Sequence, residues 1–185
     1  ARAGLCWIVD PIDGTTNFAH GFPAFAVSIA AELDGILEAG VILDVEANRL
    51  FAGWRGGGAF LNGQPIKVST IRDPGHALIG TGFPFKHPEH LGRYQPQFAR
   101  IAPATAGIRR AGSAALDLAW VATGAFDGFW ELELAPWDMA AGVVLVREAG
   151  GVITDLAGRD IGAQKGPVVA GNPAIHRWLL EILEG

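Results

Sequence analysis

Two aspartates near the start of the chain, Asp10 and Asp13, have the types and spacing that could support chemistry. The apolar residues 5–9 predict a buried strand that leads into the polar loop 10–17 and its two carboxylates. Mg²⁺ takes oxygen ligands in octahedral geometry, usually one or two carboxylates together with substrate phosphate. The spacing therefore indicates a cation site, although many Asp-x-x-Asp-Gly runs form only a polar turn.

The neighbouring residues add an anion site to the same loop. Pro11 lacks an amide donor and stiffens the chain, which leaves the carbonyl of Ile12 able to point at a cation. Gly14 permits a tight turn, so its amide and those of Thr15 and Thr16 can converge on an anion. Cation ligands and anion-binding amides in one short loop predict a combined metal and phosphate site.

A third acid, Asp138, begins a predicted helix over residues 137–149, directly after Pro136. An acid in the first helical turn commonly offsets the helix macrodipole. The adjacent Trp137 indicates a partly buried setting, where an unpaired carboxylate is costly. The local sequence therefore leaves a dipole role and a metal-binding role both open.

Several other polar residues have ordinary explanations. Ser113 is a good N-cap for the helix predicted over 113–123, and Glu131 on a predicted strand is a solvent-facing residue by its pattern alone. His87 and His90 have a spacing that could bind zinc on a helix, but the sequence offers no third ligand nearby. We expect these two histidines at the surface.

The elements that must position these residues fall into two halves. The first half predicts a β-meander with strands at 24–33, 36–43 and 50–55, and Asp34-Gly35 and Asn62-Gly63 are hairpin signals. The second half alternates between strands and helices. Its predicted strands are 77–81, 126–132 and 167–170, and its predicted helices are 88–102, 113–123, 137–149 and 173–183. The pattern predicts one mixed α/β domain over 1–185.

The composition narrows the possible partners. The 185 residues carry a net charge of −5, which disfavours nucleic acid and anionic membranes, so a cation must mediate binding of any anionic substrate. Cys6 is the only cysteine, which excludes an internal disulfide and favours a reducing compartment. Neither a signal peptide nor a membrane span is apparent, and we expect a cytoplasmic protein.

Several segments together resemble the inositol monophosphatase family. Residues 7–18 (Trp-Ile-Val-Asp-Pro-Ile-Asp-Gly-Thr-Thr-Asn-Phe) resemble its first signature, and residues 136–142 followed by 148–151 resemble its second. Gly63 and residues 81–84 and 110–115 are similar to the bacterial inositol-1-monophosphatase branch. The resemblance implies a layered αβαβα sandwich of the sugar-phosphatase type, shared with fructose-1,6-bisphosphatase, that lacks its first helices.

The family resemblance also implies an activity. It implies Mg²⁺-dependent hydrolysis of a phosphate monoester of a small polyol, most simply inositol-1-phosphate, with two or three ions. One ion would activate water and a second would stabilise the leaving alkoxide. By resemblance, Asp10 is shared between ions, the Ile12 carbonyl binds the first, and Asp13 and Asp138 bind the second.

The remaining roles implied by the resemblance concern catalysis and substrate. Thr15 would orient the attacking water. Thr15 and Asp13 are therefore the catalytic residues that the resemblance implies. The amides of Gly14 and Thr15 would hold phosphate oxygens. A second group would contact the alcohol part of the substrate, with Glu131 accepting hydrogen bonds from its hydroxyls. This second group is Gly112, Ser113, Ala114 and Glu131, and Asp138 is predicted to bind substrate as well as metal.

The resemblance further implies inhibition by Li⁺ and a homodimer. The family supplies a Glu-Glu segment and another Asp before its first signature. We therefore expect either that these acids belong to the protein outside this sequence, or that a chain without them is a feeble catalyst. Other phosphatase activities of the superfamily, on histidinol phosphate, fructose bisphosphate or phosphoadenosine phosphate, stay open. So does a non-catalytic binding protein with the same fold. A haloacid-dehalogenase-type phosphatase is disfavoured, because it needs Asp-x-Asp spacing.

Overall fold

A six-stranded antiparallel sheet forms from the first part of the chain. The computed structural model describes residues 4–85 and 87–184. The strands are β1 (Leu5–Asp13), β2 (Ala26–Leu33), β3 (Ile36–Asp44), β4 (Arg49–Trp54), β5 (Gly58–Leu61) and β6 (Gln64–Pro65), in spatial order β1-β2-β3-β4-β5-β6. Both residues of each predicted turn, Asp34-Gly35 and Asn62-Gly63, have positive φ, as two-residue hairpins of type I′ require. The predicted meander and its hairpins are confirmed.

A second, mixed sheet forms from the rest of the chain. Its strands are β7 (Leu78–Thr81), β8 (Gly107–Arg109), β9 (Gly128–Leu134), β10 (Val152–Thr154) and β11 (Gly166–Gly171). The spatial order is β10-β11-β9-β7-β8, and β7 runs parallel to both β8 and β9. Helices separate β7, β8, β9 and β10 from one another in sequence, and only β10 and β11 follow each other without one. The predicted alternation of strands and helices is therefore confirmed as far as β10.

The helices form the layers around these sheets. They are α1 (Thr15–His20), α2 (Leu91–Ile101), α3 (Ala114–Thr123), α4 (Pro136–Glu148) and α5 (Pro173–Glu184). α4 packs on the first sheet, α3 packs on α4 and contacts β9 and β11, and α5 contacts β9, β11 and α2. The predicted layered α/β sandwich is therefore confirmed. Within the described residues, no helix is long and apolar enough to cross a membrane.

α3 and α4 form the central layer because both are apolar on nearly every side. Residues 139–146 of α4 and 114–119 of α3 are buried, as expected for helices that lie between two other layers. Their approach to β3 is unusually close. A Cβ added at Gly40 would lie 2.7 Å from the carbonyl oxygen of Ala141. The position of α4, and of Asp138 in its first turn, thus depends on a glycine in the first sheet.

The start of the fold differs from the sequence prediction in one respect. β1 does not end at residue 9 but continues to Asp13, with an irregular register between Asp10 and Asp13. α1 then begins at Thr15, so the predicted loop over 10–17 is wrong. β1 is the edge strand of its sheet, and an edge tolerates the missing amide donor of Pro11.

One face of the first sheet is apolar and exposed. Leu5, Trp7 and Val9 alternate along β1, and with Leu50 and Trp54 their exposed fractions lie between 45% and 63%. Scattered exposed apolar residues are normal, but a contiguous group on a sheet is a surface that normally packs against something.

The close approach of β3 and α4 predicts the effect of a minimal substitution. In Gly40→Ala the new methyl group overlaps backbone atoms of Ala141, which cannot move aside as a flexible side chain would. We expect a loss of about 1–3 kcal/mol in the free energy of unfolding, measured by urea denaturation. The control is Gly92→Ala, because a Cβ at this position meets open space on an exposed face of α2. This substitution should increase the free energy of unfolding by up to about 1 kcal/mol. Equal stability of Gly40→Ala and the unaltered protein would contradict the packing argument.

Candidate active site

A cavity of about 540 Å³ opens where the two sheets and the central helices meet. Its walls come from the end of β1 with the start of α1, from the segment after β7, from the start of α3, and from β9 with the start of α4. Every residue that the sequence analysis assigned to catalysis, metal binding or substrate binding borders it: Asp10, Ile12, Asp13, Gly14, Thr15, Gly112, Ser113, Ala114, Glu131 and Asp138. Their individual roles stay predictions.

Three carboxylates converge in this cavity. Asp10, Asp13 and Asp138 each offer an oxygen, and these oxygens lie within 4.8 Å of one another. Two of the acids come from β1 and the third from α4, more than a hundred residues later. The structure therefore brings together the two acidic positions that the sequence pattern alone did not connect.

Asp13 is the most constrained of the three acids. It is 8% exposed, and its Oδ2 accepts hydrogen bonds from the Ser113 hydroxyl at 2.6 Å and the Ala115 amide at 2.8 Å. Burial raises its pKa from 3.8 to about 7. The two hydrogen bonds oppose this rise, while the neighbouring Asp138 and Asp10 add to it. A cation bound at the cluster would favour the ionised form.

The other two acids are oriented by local backbone amides. The Ile12 amide donates to Asp10 Oδ1 at 3.0 Å, and the Ala135 amide donates to Asp138 Oδ2 at 2.8 Å. Asp138 thus caps the start of α4 by a hydrogen bond, in addition to the helix-dipole role that the sequence allowed. Capping fixes the carboxyl group in place and is compatible with ligation by the same side chain.

The donor set fits a hard divalent cation. Oxygen-only ligands suit Mg²⁺, Ca²⁺ or Mn²⁺ rather than softer metals. Three carboxylates gathered at this distance, one of them buried, repel one another unless a positive charge lies between them. The cluster could therefore hold a metal ion, with Asp10, Asp13 and Asp138 as its ligands.

The start of α3 connects the acid cluster to the substrate side of the cavity. Ser113 accepts a hydrogen bond from the Leu116 amide, as predicted for an N-cap, and also donates to Asp13. Gly112 has φ +94°, and an added Cβ would lie 2.9 Å from the side-chain nitrogen Nδ2 of Asn17. Asn17 Nδ2 donates to the carbonyls of Ala24 and Ala111 at 2.6 and 2.8 Å. This side chain ties α1 to the Gly112 turn, a role the sequence analysis missed.

Glu131 lies inside the cavity wall rather than on a solvent-facing surface. Its carboxyl group occupies the space that a side chain at position 82 would need, since a Cβ on Gly82 would lie 2.1 Å from it. The Gly-Phe-Pro segment after β7 therefore makes room for Glu131. The purely solvent-facing interpretation of Glu131 is wrong, because β9 turns this side chain toward the cavity.

Glu133 lies at the rim with several cationic groups. It is bound by the ammonium of Lys165 and, at 2.8 Å, by His90 Nε2, and these contacts lower its pKa to about 2. His87 Nε2 lies 3.5 Å from the same carboxyl group. The two histidines are partly exposed, at 42% and 32% of their side chains. They serve an ion-pair network at the rim.

Two further residues line the cavity, Asp117 and Arg110, and the sequence analysis gave neither of them a role in the site. Asp117 is 1% exposed, and burial, with Glu131 and Asp13 nearby, raises its pKa well above the usual value. Its spacing of four residues from Ser113 places both on one face of α3, which is the signal that could have found it. Arg110 precedes the Gly112 turn and has no comparable signal.

An α/β sandwich with an acid-lined cavity between its layers is typical of enzymes that bind a metal ion. Comparison with known proteins identifies the family. The model of the inositol monophosphatase family matches residues 1–185. The chain belongs to the inositol monophosphatase family. Membership supports phosphatase activity.

Two curated relatives show how far the similarity extends. The protein named Nus factor SuhB of Pseudomonas aeruginosa is 48% identical over 184 residues, which is 98% of this chain and 68% of that protein. The inositol-1-monophosphatase of Rhizobium meliloti is 47% identical over 178 residues, which is 96% of this chain and 67% of that protein. The chain thus spans about two thirds of the length of these relatives.

A solved structure supports the same assignment. The extragenic suppressor protein suhB of Bartonella henselae superimposes with a TM-score of 0.94 at 47% identity. The match covers 98% of this chain and 69% of that one. The fold and the family are therefore shown by sequence and by structure.

The raised pKa of Asp13 predicts a pH dependence of stability. Between pH 3.8 and about 7 the metal-free folded protein holds a proton on Asp13 that the unfolded chain has lost. The contribution of this group to the free energy of unfolding therefore decreases as pH rises through that window. Asp13→Asn, which cannot ionise, should remove this part of the pH dependence in urea titrations with a chelator present. The same slope in both proteins would contradict the assignment.

Proposed function

We propose that this chain carries the active site of a Mg²⁺-dependent phosphatase that hydrolyses phosphate monoesters of small polyols, inositol-1-phosphate first among them. The observation that carries the proposal is the convergence of Asp10, Asp13 and Asp138 on one cavity, with carboxylate oxygens within 4.8 Å of one another. Oxygen ligands of this kind are what Mg²⁺ requires at phosphoryl-transfer sites. Family membership supports the same activity.

The acid cluster would hold the metal, with the Ile12 carbonyl as an additional ligand. When bound, Mg²⁺ supplies a Lewis acid for the phosphate and lowers the pKa of a coordinated water. Asp13, fixed by Ser113 and Ala115, would keep its carboxyl group aligned through the reaction. Preorganised ligands avoid a reorganisation cost when charge develops.

The first turn of α1 would hold the phosphate. Gly14, with φ +87°, turns the chain at the end of β1, and Gly14 and Thr15 border the cavity. Their amides would hold the phosphate oxygens. The Thr15 hydroxyl would orient the attacking water. On the other side, Gly112, Ser113 and Ala114 would lie along the alcohol part, whose hydroxyls would donate to Glu131.

Further properties follow from the family alone and are part of this proposal. They are a cytoplasmic location, a homodimer, inhibition by Li⁺ and two or three Mg²⁺ ions per site. Histidinol phosphate, fructose bisphosphate and phosphoadenosine phosphate are the alternative substrates.

The second candidate function is a binding role that does not depend on catalysis. Relatives of nearly equal identity carry the names Nus factor SuhB and inositol-1-monophosphatase. Sequence similarity therefore does not decide whether this chain acts as a Nus factor or as a phosphatase, and its phosphatase activity has to be measured.

The test is phosphate release from inositol-1-phosphate, with and without Mg²⁺, by the protein in its full natural length. Asp138→Asn preserves shape and removes a ligand charge, so we expect turnover to fall by at least about 100-fold, the upper end of effects seen for outer-shell partners. The matched control is Glu46→Gln, an acid in an exposed turn, which should change nothing. Undiminished turnover in Asp138→Asn would remove the metal assignment, and no release by the unaltered protein would favour the binding role.

A further inference from the structure

Arg110 places a positive charge on the wall of the cavity. Its guanidinium carbon lies 5.6 Å from the ring centre of Phe83 and 5.2 Å from that of Phe85, in the segment after β7. Cation–π contacts of this kind hold an arginine in one orientation. These contacts favour a position of the positive charge against the two aromatic rings.

Arg110 differs from several other arginines of the protein because it has no carboxylate as an ion-pair partner among the described residues. Arg55, Arg147 and Arg159 each pair with a carboxylate. Arg110 makes no ion pair with an acid in residues 4–85 or 87–184, and its buried Nε has no hydrogen-bond partner there. Such unused donors at a cavity wall are costly unless a ligand or water meets the group.

The backbone beside Arg110 is shaped to accept it. A Cβ on Gly112 would lie 2.6 Å from Arg110 Nη1, so the glycine leaves room for the guanidinium. The next residue, Ser113, is the one that donates to Asp13. The guanidinium thus lies beside the turn that leads directly to the acid cluster, close to where a bound phosphate ester would place its alcohol.

Acceptor groups share this part of the cavity. Asp117 and Glu131 line the same cavity, and Asp117 lies near enough to both Glu131 and Arg110 to interact with them electrostatically. Asp117 Oδ1 is buried with no hydrogen-bond partner among the described residues. A hydroxyl group both donates and accepts, so a guanidinium beside carboxyl groups can bind adjacent hydroxyls. A second phosphate in the same place would meet the acidic side chain of Glu131, and a further negative charge beside the buried Asp117 is disfavoured as well.

We propose that Arg110 is a specificity-determining residue that binds hydroxyl groups on the alcohol part of the substrate, and thereby selects an uncharged polyol monophosphate over a bisphosphate. The inference rests on the proposed phosphatase function and names the substrate class of that site. Asp117 and Glu131 supply the acceptors that complete the recognition.

The kinetic test compares two esters in the protein of full natural length with Mg²⁺. Arg110→Gln should raise KM for inositol-1-phosphate roughly tenfold, the effect of losing one charged hydrogen bond, and leave kcat within about threefold. KM for 4-nitrophenyl phosphate, which has no hydroxyl beside the ester, should stay within about twofold. Arg110→Lys should recover only part of the loss, because an ammonium lacks the planar fork. Arg109→Gln, an exposed neighbour outside the cavity wall, is the matched control.

A binding measurement separates failure of this inference from failure of the phosphatase proposal. Free inositol should bind the unaltered protein in calorimetry, and roughly tenfold more weakly to Arg110→Gln. If no ester is hydrolysed at all, the phosphatase proposal fails, and this difference alone still supports polyol recognition by Arg110. Three results would overturn the inference: an equal rise of KM for both esters, hydrolysis of fructose 1,6-bisphosphate in preference to inositol-1-phosphate, or inositol binding that is absent or unaffected by Arg110→Gln.

Discussion

The hydrogen bonds from Ser113 and Ala115 to Asp13 are the interaction on which the site depends. They join the end of β1 in the first sheet to the start of α3 in the central layer, across about a hundred residues of sequence. A buried carboxylate is tolerated only where donors or cations compensate for lost hydration. The same two bonds therefore fix the layer contact and keep a potential metal ligand in position.

The third acid reaches this place through packing and not through hydrogen bonds to the other two. α4 can carry Asp138 into the cavity because Gly40 lets the helix backbone touch β3, and because the apolar residues 139–146 of α4 are buried between its neighbours. Glycine and alanine contacts at a layer boundary are stiff, since a small residue leaves no side chain to adjust. The spacing of the three carboxylates is thus set by the rigid core, which opposes their mutual repulsion.

The sequence predicted the parts of this arrangement that depend on local signals. Asp34-Gly35 and Ser113 act within a few residues of themselves, and both behaved as expected. The end of β1 did not follow its local signal, because pairing at a sheet edge tolerates Pro11. Glu131 looked solvent-facing, since nothing in its own strand reveals that Gly82 clears a space for it. Arg110 could not be assigned for the same reason, because only tertiary contacts place it at the cavity, whereas the spacing of Asp117 from Ser113 was a signal that the sequence analysis did not use.

The two ends of the cavity differ in charge, and this difference is relevant to the proposed binding of an anionic ester by an acidic protein. Around Asp10, Asp13 and Asp138 negative charge is concentrated, so a phosphate can approach only together with cations. Near Arg110 the cavity has both a guanidinium and acidic groups, the buried Asp117 and the partly exposed Glu131. Such an environment suits hydroxyls better than a further anion. The acid cluster with its metal ion would then determine that a phosphate ester binds. The region around Arg110 would determine which alcohol that ester carries.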